Sequence, residues 1–420
     1  MALTITEKIL EQHCLQGKVI RGSIIQVSLD RIMVHESIAL SIAKTIEKLG
    51  VRELKEPEKI VSFLDHWAPA PDENAAVMHQ NCRSFVRHFN ISHHHDVNGG
   101  VCHQVMIEKF VKPGEIVVGS DSHTPTYGAL DCLGIGLGFT DVALAMAEGH
   151  TWLKVPEVMQ IRLEGTLAEG VTGKDVILYA LGELGTEGAD YKAIEFTGTG
   201  VSHLAMDDRF TVCNMTAEMG AKAAIMPVDQ LTREYMLQRG ETVLKEVYAD
   251  EGAVYNSTFV IEMENLGPMI AAPSSPANVH PIAEVAGTQI DQVFIGGCTN
   301  GRLSDLRQTA QILKGHKVAS GVRLLVFPAS YQVLRDAIKD GTINCLIDAG
   351  AVLGPPSCGP CFGAHLGLLA AGEKCLSASN RNFAGRMGSK EAEIFLGSAL
   401  SAAATAVAGK IVDPREFITV

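Results

Sequence analysis

Two loops in the last third of the chain carry cysteines at spacings that could do chemistry. They are Gly296-Gly-Cys-Thr-Asn-Gly-Arg302 and Pro356-Ser-Cys-Gly-Pro-Cys-Phe-Gly363. They supply Cys298, Cys358 and Cys361, which only the fold can bring together. Three chemistries compete. Cys358-Gly-Pro-Cys361 has the spacing of a redox motif, in which one thiol is made acidic, but it follows Pro355-Pro356-Ser357 and lies deep in a long chain. With His365 the three thiols could form a Cys₃His zinc tetrahedron. Alternatively, three thiolates could hold an iron–sulfur cluster that normally takes four. One iron would then lack a cysteine and could act as a Lewis acid. The other seven cysteines (Cys14, Cys82, Cys102, Cys132, Cys213, Cys345 and Cys375) are scattered singly, as small apolar packing residues are.

Acids, imidazoles and guanidinium groups elsewhere tip the choice towards the third chemistry. Leu64-Asp-His66 is an adjacent acid–imidazole pair, and Gly100-Val-Cys-His-Gln104 adds His103. Gly119-Ser-Asp-Ser-His-Thr-Pro125 adds Asp121, Ser122 and His123. Cys213-Asn-Met-Thr-Ala-Glu218 places Asn214 and Glu218 one helical turn apart. Asn380-Arg-Asn-Phe-Ala-Gly-Arg386 adds Arg381 and Arg386. Each alone is explained by structure or by surface charge; the set together is not. A zinc-stabilised, non-catalytic scaffold is the reading of another class that stays open.

These residues need a scaffold, and the pattern around them predicts one. Gln292-Val-Phe-Ile-Gly and Arg323-Leu-Leu-Val-Phe read as buried strands, as do Asn344 to Ile347 and Cys375 to Ala378. Helices are expected from about Ser304, after Ser330, and from Ser398 to Ala408 with Gly409 as the stop. Alternation of this kind predicts an α/β fold with parallel sheets, whose ligands sit at the carboxyl ends of strands. The pattern changes around Pro156, and Pro268, Pro273, Pro276 and Pro281 read as a linker. The expected domains are residues 1–157, 158–284 and 285–420, the last carrying the cysteines. His93-His-His-Asp96 reads as a solvated turn.

Composition narrows the partners. A formal charge of −13 over 420 residues argues against nucleic acid, which needs a basic surface. No apolar run approaches the roughly 20 residues that span a bilayer. The first residues lack the basic start and apolar core of a secretion signal, so a cytoplasmic location is expected. Gly134-Ile-Gly-Leu-Gly138 lacks the dinucleotide-binding spacing, and Gly173-Lys174 lacks the upstream glycine of a phosphate loop.

The motifs Leu64-Asp-His66, His103-Gln104, Ser120-Asp-Ser-His-Thr124, Cys213 to Glu218, Cys298-Thr-Asn300, Cys358-Gly-Pro-Cys361 and Ser379 to Arg386 together resemble the aconitase superfamily. Within it the resemblance is to large subunits of the isopropylmalate isomerase and homoaconitase type. The motifs run in family order over most of the chain. The resemblance implies three α/β/α domains around a central 4Fe–4S cluster, held by Cys298, Cys358 and Cys361, with one iron free of cysteine. It implies that Asp121, His123 and the Asp65–His66 pair surround that iron, that His66 is the acid, that His123 pairs with Glu218, and that His103 lines the site. Ser122, Asn214, Arg381 and Arg386 would bind substrate carboxylates, and His35 falls in a substrate-contact region. The implied reaction removes and restores water on a hydroxy-polycarboxylic acid. 2-Isopropylmalate/3-isopropylmalate, an intermediate pair of leucine biosynthesis, leads; homoaconitase and methylmalate or dimethylmalate dehydratases are the alternatives. The family's base is a serine of a swivelling domain, and a chain ending at Val420 leads us to expect that domain on a separate small subunit.

Overall fold

The computed structural model describes residues 2–242 and 244–418. Its core strands are short apolar runs, and several are buried along their whole length: Ile60–Phe63, Ile116–Gly119 and Gln292–Gly296. Burial on both faces is the mark of parallel sheets covered by helices.

Three such sheets organise the chain. The first is fully parallel, in the order His93–His95, Ile60–Phe63, Arg31–His35, Ile116–Gly119, Leu133–Gly136. The second is also parallel, in the order Ala223–Ile225, Ala193–Thr197, Val158–Glu164, Ser257–Glu262. The third has seven strands. Glu393–Leu396, Lys374–Ser377, Gln292–Gly296, Arg323–Phe327 and Val352–Leu353 run parallel, and two antiparallel strands extend one edge. A small antiparallel sheet of Cys14–Gln16, Ile24–Ser28 and His150–Lys154 shares a buried core with the first, Ile25, Val27 and Leu153 joining Ile32, Val34 and Val118. One buried apolar cluster runs through all three large sheets, from Val61 and Phe63 through Phe196 and Phe210 to Phe294 and Phe327. The α/β class expected from alternation is the class observed.

Four local expectations need correction. Asn344 to Ile347 lies inside a helix, Thr342–Ala349, not a strand. Ile343, Leu346 and Ala349 face inward at a three-residue period, and Gly341 and Gly350 bracket the segment; a short apolar run does not reveal its period. The helix expected from about Ser304 is present as Leu303–Leu313, but Arg302 and not Ser304 is its N-cap. The Ser304 hydroxyl instead donates to Asp207 Oδ2 at 2.6 Å. His93–His95 is a half-buried edge strand paired with Val61–Phe63, not a solvated turn. His95 stacks on Phe63 there, with centroids 5.1 Å apart. In the proline-rich stretch, Met269–Ala271 and Val279–Pro281 form an antiparallel pair at one side of the third sheet, with Pro281 on the outermost strand. An edge tolerates proline where a central position does not.

Among the described residues no helix is long and apolar enough to cross a membrane.

Candidate active site

Every motif singled out in the sequence sits just beyond a strand's carboxyl end or on a helix facing those ends. His35 ends its strand, Asp65 and His66 follow Ile60–Phe63, and Asp121 to His123 follow Ile116–Gly119. Cys298 follows Gln292–Gly296, Cys358 and Cys361 follow Val352–Leu353, and Arg381 follows Lys374–Ser377. Asn214 and Glu218 come from Met206–Met215 and the 3₁₀ turn after it. His66, His103, Asp121, His123, Cys298, Cys358, Cys361, Asn380 and Arg386 line one cavity.

The Asp65–His66 pair is built by its surroundings. His66 Nδ1 donates to Asp65 Oδ1 at 2.8 Å, and Asp65 Oδ2 accepts the Cys102 backbone N–H at 2.7 Å. Burial alone would discharge His66. The Asp65 charge and hydrogen bond, with Glu36 and Asp121 nearby, outweigh it and push the imidazolium up to about 10. Asp65 is held far below the carboxylate range: burial opposes ionisation, but His66 overcomes it. His35 stacks on His66 with centroids 4.3 Å apart. Its Nδ1 accepts from Ser37 Oγ at 2.6 Å and its Nε2 donates to the Ser120 carbonyl at 3.3 Å. Burial and the His66 charge push His35 down to about 4, so the stack holds one charged ring and one neutral one.

Asp121 is the hub of the opposite wall. Its Oδ1 accepts from His103 Nε2 at 2.8 Å, from the His123 backbone N–H at 2.8 Å and from His123 Nδ1 at 3.1 Å. Its Oδ2 lies 4.0 Å from His66 Nε2. Burial resists the charge, yet these donors keep Asp121 well below its ordinary value. His123 Nε2 continues to Glu218 Oε1 at 3.0 Å. Glu218 takes Arg381 Nε at 2.8 Å, and Arg381 donates onward to Ser122 Oγ at 3.0 Å. Arg386 Nε is buried without a partner, leaving donor capacity at the cavity.

The structure places Asn214 differently from the other candidates. Its amide donates to Thr126 Oγ1 at 2.9 Å and to Cys298 Sγ at 3.3 Å, and its carbonyl oxygen accepts from Asn380 and Thr299. Both ends are used by protein, against the cysteine. Asn380 adds a second N–H to Cys298 Sγ at 3.4 Å. Amide donors aimed at sulfur suit a charged thiolate.

Three groups were missed in the sequence. Glu36 Oε1 accepts the backbone N–H groups of Asp65, His66 and Trp67 at 3.1, 2.7 and 3.0 Å. It clamps the turn that carries the acid–imidazole pair. Lys174 is fully buried and donates to the Ala378 and Ser379 carbonyls at 2.9 and 2.5 Å. Arg302 is also fully buried, behind Cys298. Nothing but its immediate neighbour His35 marks Glu36, and the two cations resemble surface charges in sequence.

A single ion needs its ligand atoms close together: zinc–sulfur bonds of about 2.3 Å put sulfurs roughly 4 Å apart. Among the described residues, ligand atoms all within 4.8 Å of one another occur in two groups, His35–Glu36–Asp65–His66 and His103–Asp121–His123. The three cysteines and His365 do not make a third. His365 Nε2 is turned to the Pro69 carbonyl at 2.9 Å. A larger thiolate-held group fits this donor set better than one zinc.

The aconitase family (aconitate hydratase) model matches residues 7–409. The chain belongs to the aconitase family. It is 45% identical to the 3-isopropylmalate dehydratase large subunit 1 of Methanopyrus kandleri, over 100% of both chains. It is 44% identical to the 3-isopropylmalate dehydratase large subunit of Heliobacterium modesticaldum, over 99% of this chain and 100% of that one. Among solved structures, aconitase X of Thermococcus kodakaraensis matches with a TM-score of 0.51 and 13% identity, covering 92% of this chain and 94% of that one. At that identity the likeness is one of fold, and it is the aconitase-family fold that gathers the three cysteines beside the histidines.

Proposed function

We propose that this chain is the cluster-bearing large subunit of a hydro-lyase that interconverts 2-isopropylmalate and 3-isopropylmalate by removing and restoring water. One observation carries the reading: an Asp-charged imidazolium and three cysteines line the same cavity. The names of the full-length relatives supply the substrate.

Cys298, Cys358 and Cys361 would hold a 4Fe–4S cluster, with sulfur charge on Cys298 stabilised by the Asn214 and Asn380 amides. When bound, the cluster would supply a Lewis acid through the iron without a cysteine, polarising the substrate C–O bond. The chain's own residues do the rest. His66, held protonated by Asp65, delivers a proton to the departing hydroxyl. Arg386 and Arg381, with Ser122, hold carboxylates and so favour the charge that develops at the neighbouring carbon. Asp121 fixes His103 and His123 in one orientation through a single shared oxygen.

A separate small subunit would supply the serine that takes the carbon-bound proton, in keeping with relatives named large subunits. We place the enzyme in the cytoplasm, where thiols stay reduced; all ten cysteines are unpaired.

The test is turnover. The chain, co-purified anaerobically with its small subunit, is assayed for unsaturated product from 2-isopropylmalate, 3-isopropylmalate, homocitrate, and methyl- and dimethylmalate. Turnover dominated by the isopropylmalates supports the reading. A preference for homocitrate or the methylmalates replaces the substrate and keeps the chemistry. No product from any acid, with the cluster intact, ends it.

A further inference from the structure

Arg302 is 1% exposed, yet among the described residues no carboxylate lies within ion-pair distance of its guanidinium. Its donors go to neutral oxygens of three separate parts of the chain. One Nη donates to the Cys298 carbonyl at 2.6 Å. The other donates to the Thr299 carbonyl at 2.5 Å, to Thr211 Oγ1 at 3.1 Å and to the Asp207 carbonyl at 3.4 Å. Nε donates to Gln104 Oε1 at 3.1 Å, and the guanidinium lies over the Phe210 ring, 5.3 Å from its centroid. Gln104 follows His103, whose ring is bonded to Asp121. The other end of the Gln104 amide donates to Glu108, which also takes the Ser330 hydroxyl.

We propose that Arg302 is a positioning residue: its planar fork sets the Cys298-Thr299 backbone at a fixed distance from the helix that carries His103. The fork is what matters, because a guanidinium spreads five N–H donors over one rigid plane and so reaches acceptors on opposite sides, whereas an ammonium offers three from a single point. A buried cation is also costly to leave unpaired. Satisfying it with the carbonyls of the cysteine loop makes the loop's conformation a condition of burying the charge. Asp305 reinforces this from behind, accepting the Arg302 backbone N–H at 2.9 Å. The inference deepens the reading of the cysteines as ligands of a metal group, but the loop geometry can be measured without that group.

The full-length chain is compared with Arg302→Lys, Arg302→Met and Gln104→Leu in two measurements. In the apo protein under anaerobic conditions, iodoacetamide labelling of Cys298 is followed by mass spectrometry, with Cys375, buried in the third sheet, as the internal control. After loading with iron and sulfide, release of iron to a chelator is timed, and the EPR line shape is recorded after mild oxidation. We expect Arg302→Lys to fold, to label Cys298 about tenfold faster with Cys375 unchanged, to release iron about tenfold faster, and to broaden the signal. Gln104→Leu should move the same readouts by a smaller factor. If Arg302→Met does not fold, the other two variants decide. Wild-type labelling and release rates in a folded Arg302→Lys would overturn the proposal and leave Arg302 as a satisfied buried charge. If the wild-type chain takes up no iron, the ligand reading fails, and the labelling ratio alone decides whether Arg302 fixes the loop.

Discussion

At the scale of single residues, the site depends on a proton kept where burial would remove it. Asp65→Asn removes the charge that raises His66. The imidazole should then lose its proton nearer neutrality, and the alkaline limb of the kcat/KM profile should move from near pH 10 towards pH 7. Above that shifted limb, loss of the protonated acid should cost about 10²–10⁴-fold in rate, measured on the two-subunit enzyme from pH 6 to 10.5. The same shift is a statement about stability. His66 is raised from an unfolded value of about 6.5 to about 10. Its contribution is complete below about pH 6.5 and is lost as the pH rises towards 10. The apo chain should show a falling Tm over that window, and Asp65→Asn should flatten the fall. Glu36→Ala strips one acceptor from three backbone N–H groups. By the cost of leaving buried donors unmet it should destabilise the chain by about 3 kcal/mol, read from urea unfolding, and misplace His66. The sequence marked Asp65, His66, His103, Asp121 and His123 because carboxylates and imidazoles at strand ends are chemically conspicuous. It did not mark Glu36, Lys174 or Arg302, whose work is done on backbone atoms that only the fold brings near.

At the scale of elements, the helix Cys102–Lys109 matters most, since His103 and Gln104 point from it towards different partners. Its start is pinned to the loop that follows the third sheet's strand Arg323–Phe327. Gly100 adopts φ +116° and bridges Ser330, and the Val101 N–H donates to the Ala329 carbonyl at 2.9 Å. A Cβ on Gly100 would lie 2.5 Å from Ser330 Cα. Gly100→Ala therefore combines left-handed backbone strain with overpacking and should cost about 3 kcal/mol. Calorimetry would give the loss in stability, and cluster content would report whether the helix still reaches the cysteines. Strands and helices with clear caps were legible: Ser330 caps Tyr331–Lys339, Ser398 caps Ala399–Ala408, and Gly409 ends the latter. Residues 344–347 and the histidine run were not. A short apolar run fits either period, and a polar strand is recognised only by the neighbour it pairs with.

At the scale of the whole molecule, the site belongs to no single sheet. The first contributes the acid–imidazole pair and the Asp121 hub. Asn214 and Glu218 come from elements following the second, and the third carries the cysteines and arginines. With the base on the small subunit, as proposed, the large chain alone, loaded with its cluster, should bind the acid yet turn over less than about one-hundredth as fast as the pair. A titration of the small subunit against rate would check this. The Cys358 backbone N–H donates to the Asp65 carbonyl at 3.2 Å, a direct tie between the two ends of the chemistry. The order of these two ends along the chain also sets a schedule for the cell. A ribosome finishes the acid–imidazole pair early and the last cysteine late, so a nascent chain exposes half a site for most of its synthesis. On the proposed ligand set, a cluster held by all three cysteines can be inserted only after synthesis has passed Cys361, and a message truncated before it leaves two of the three thiols.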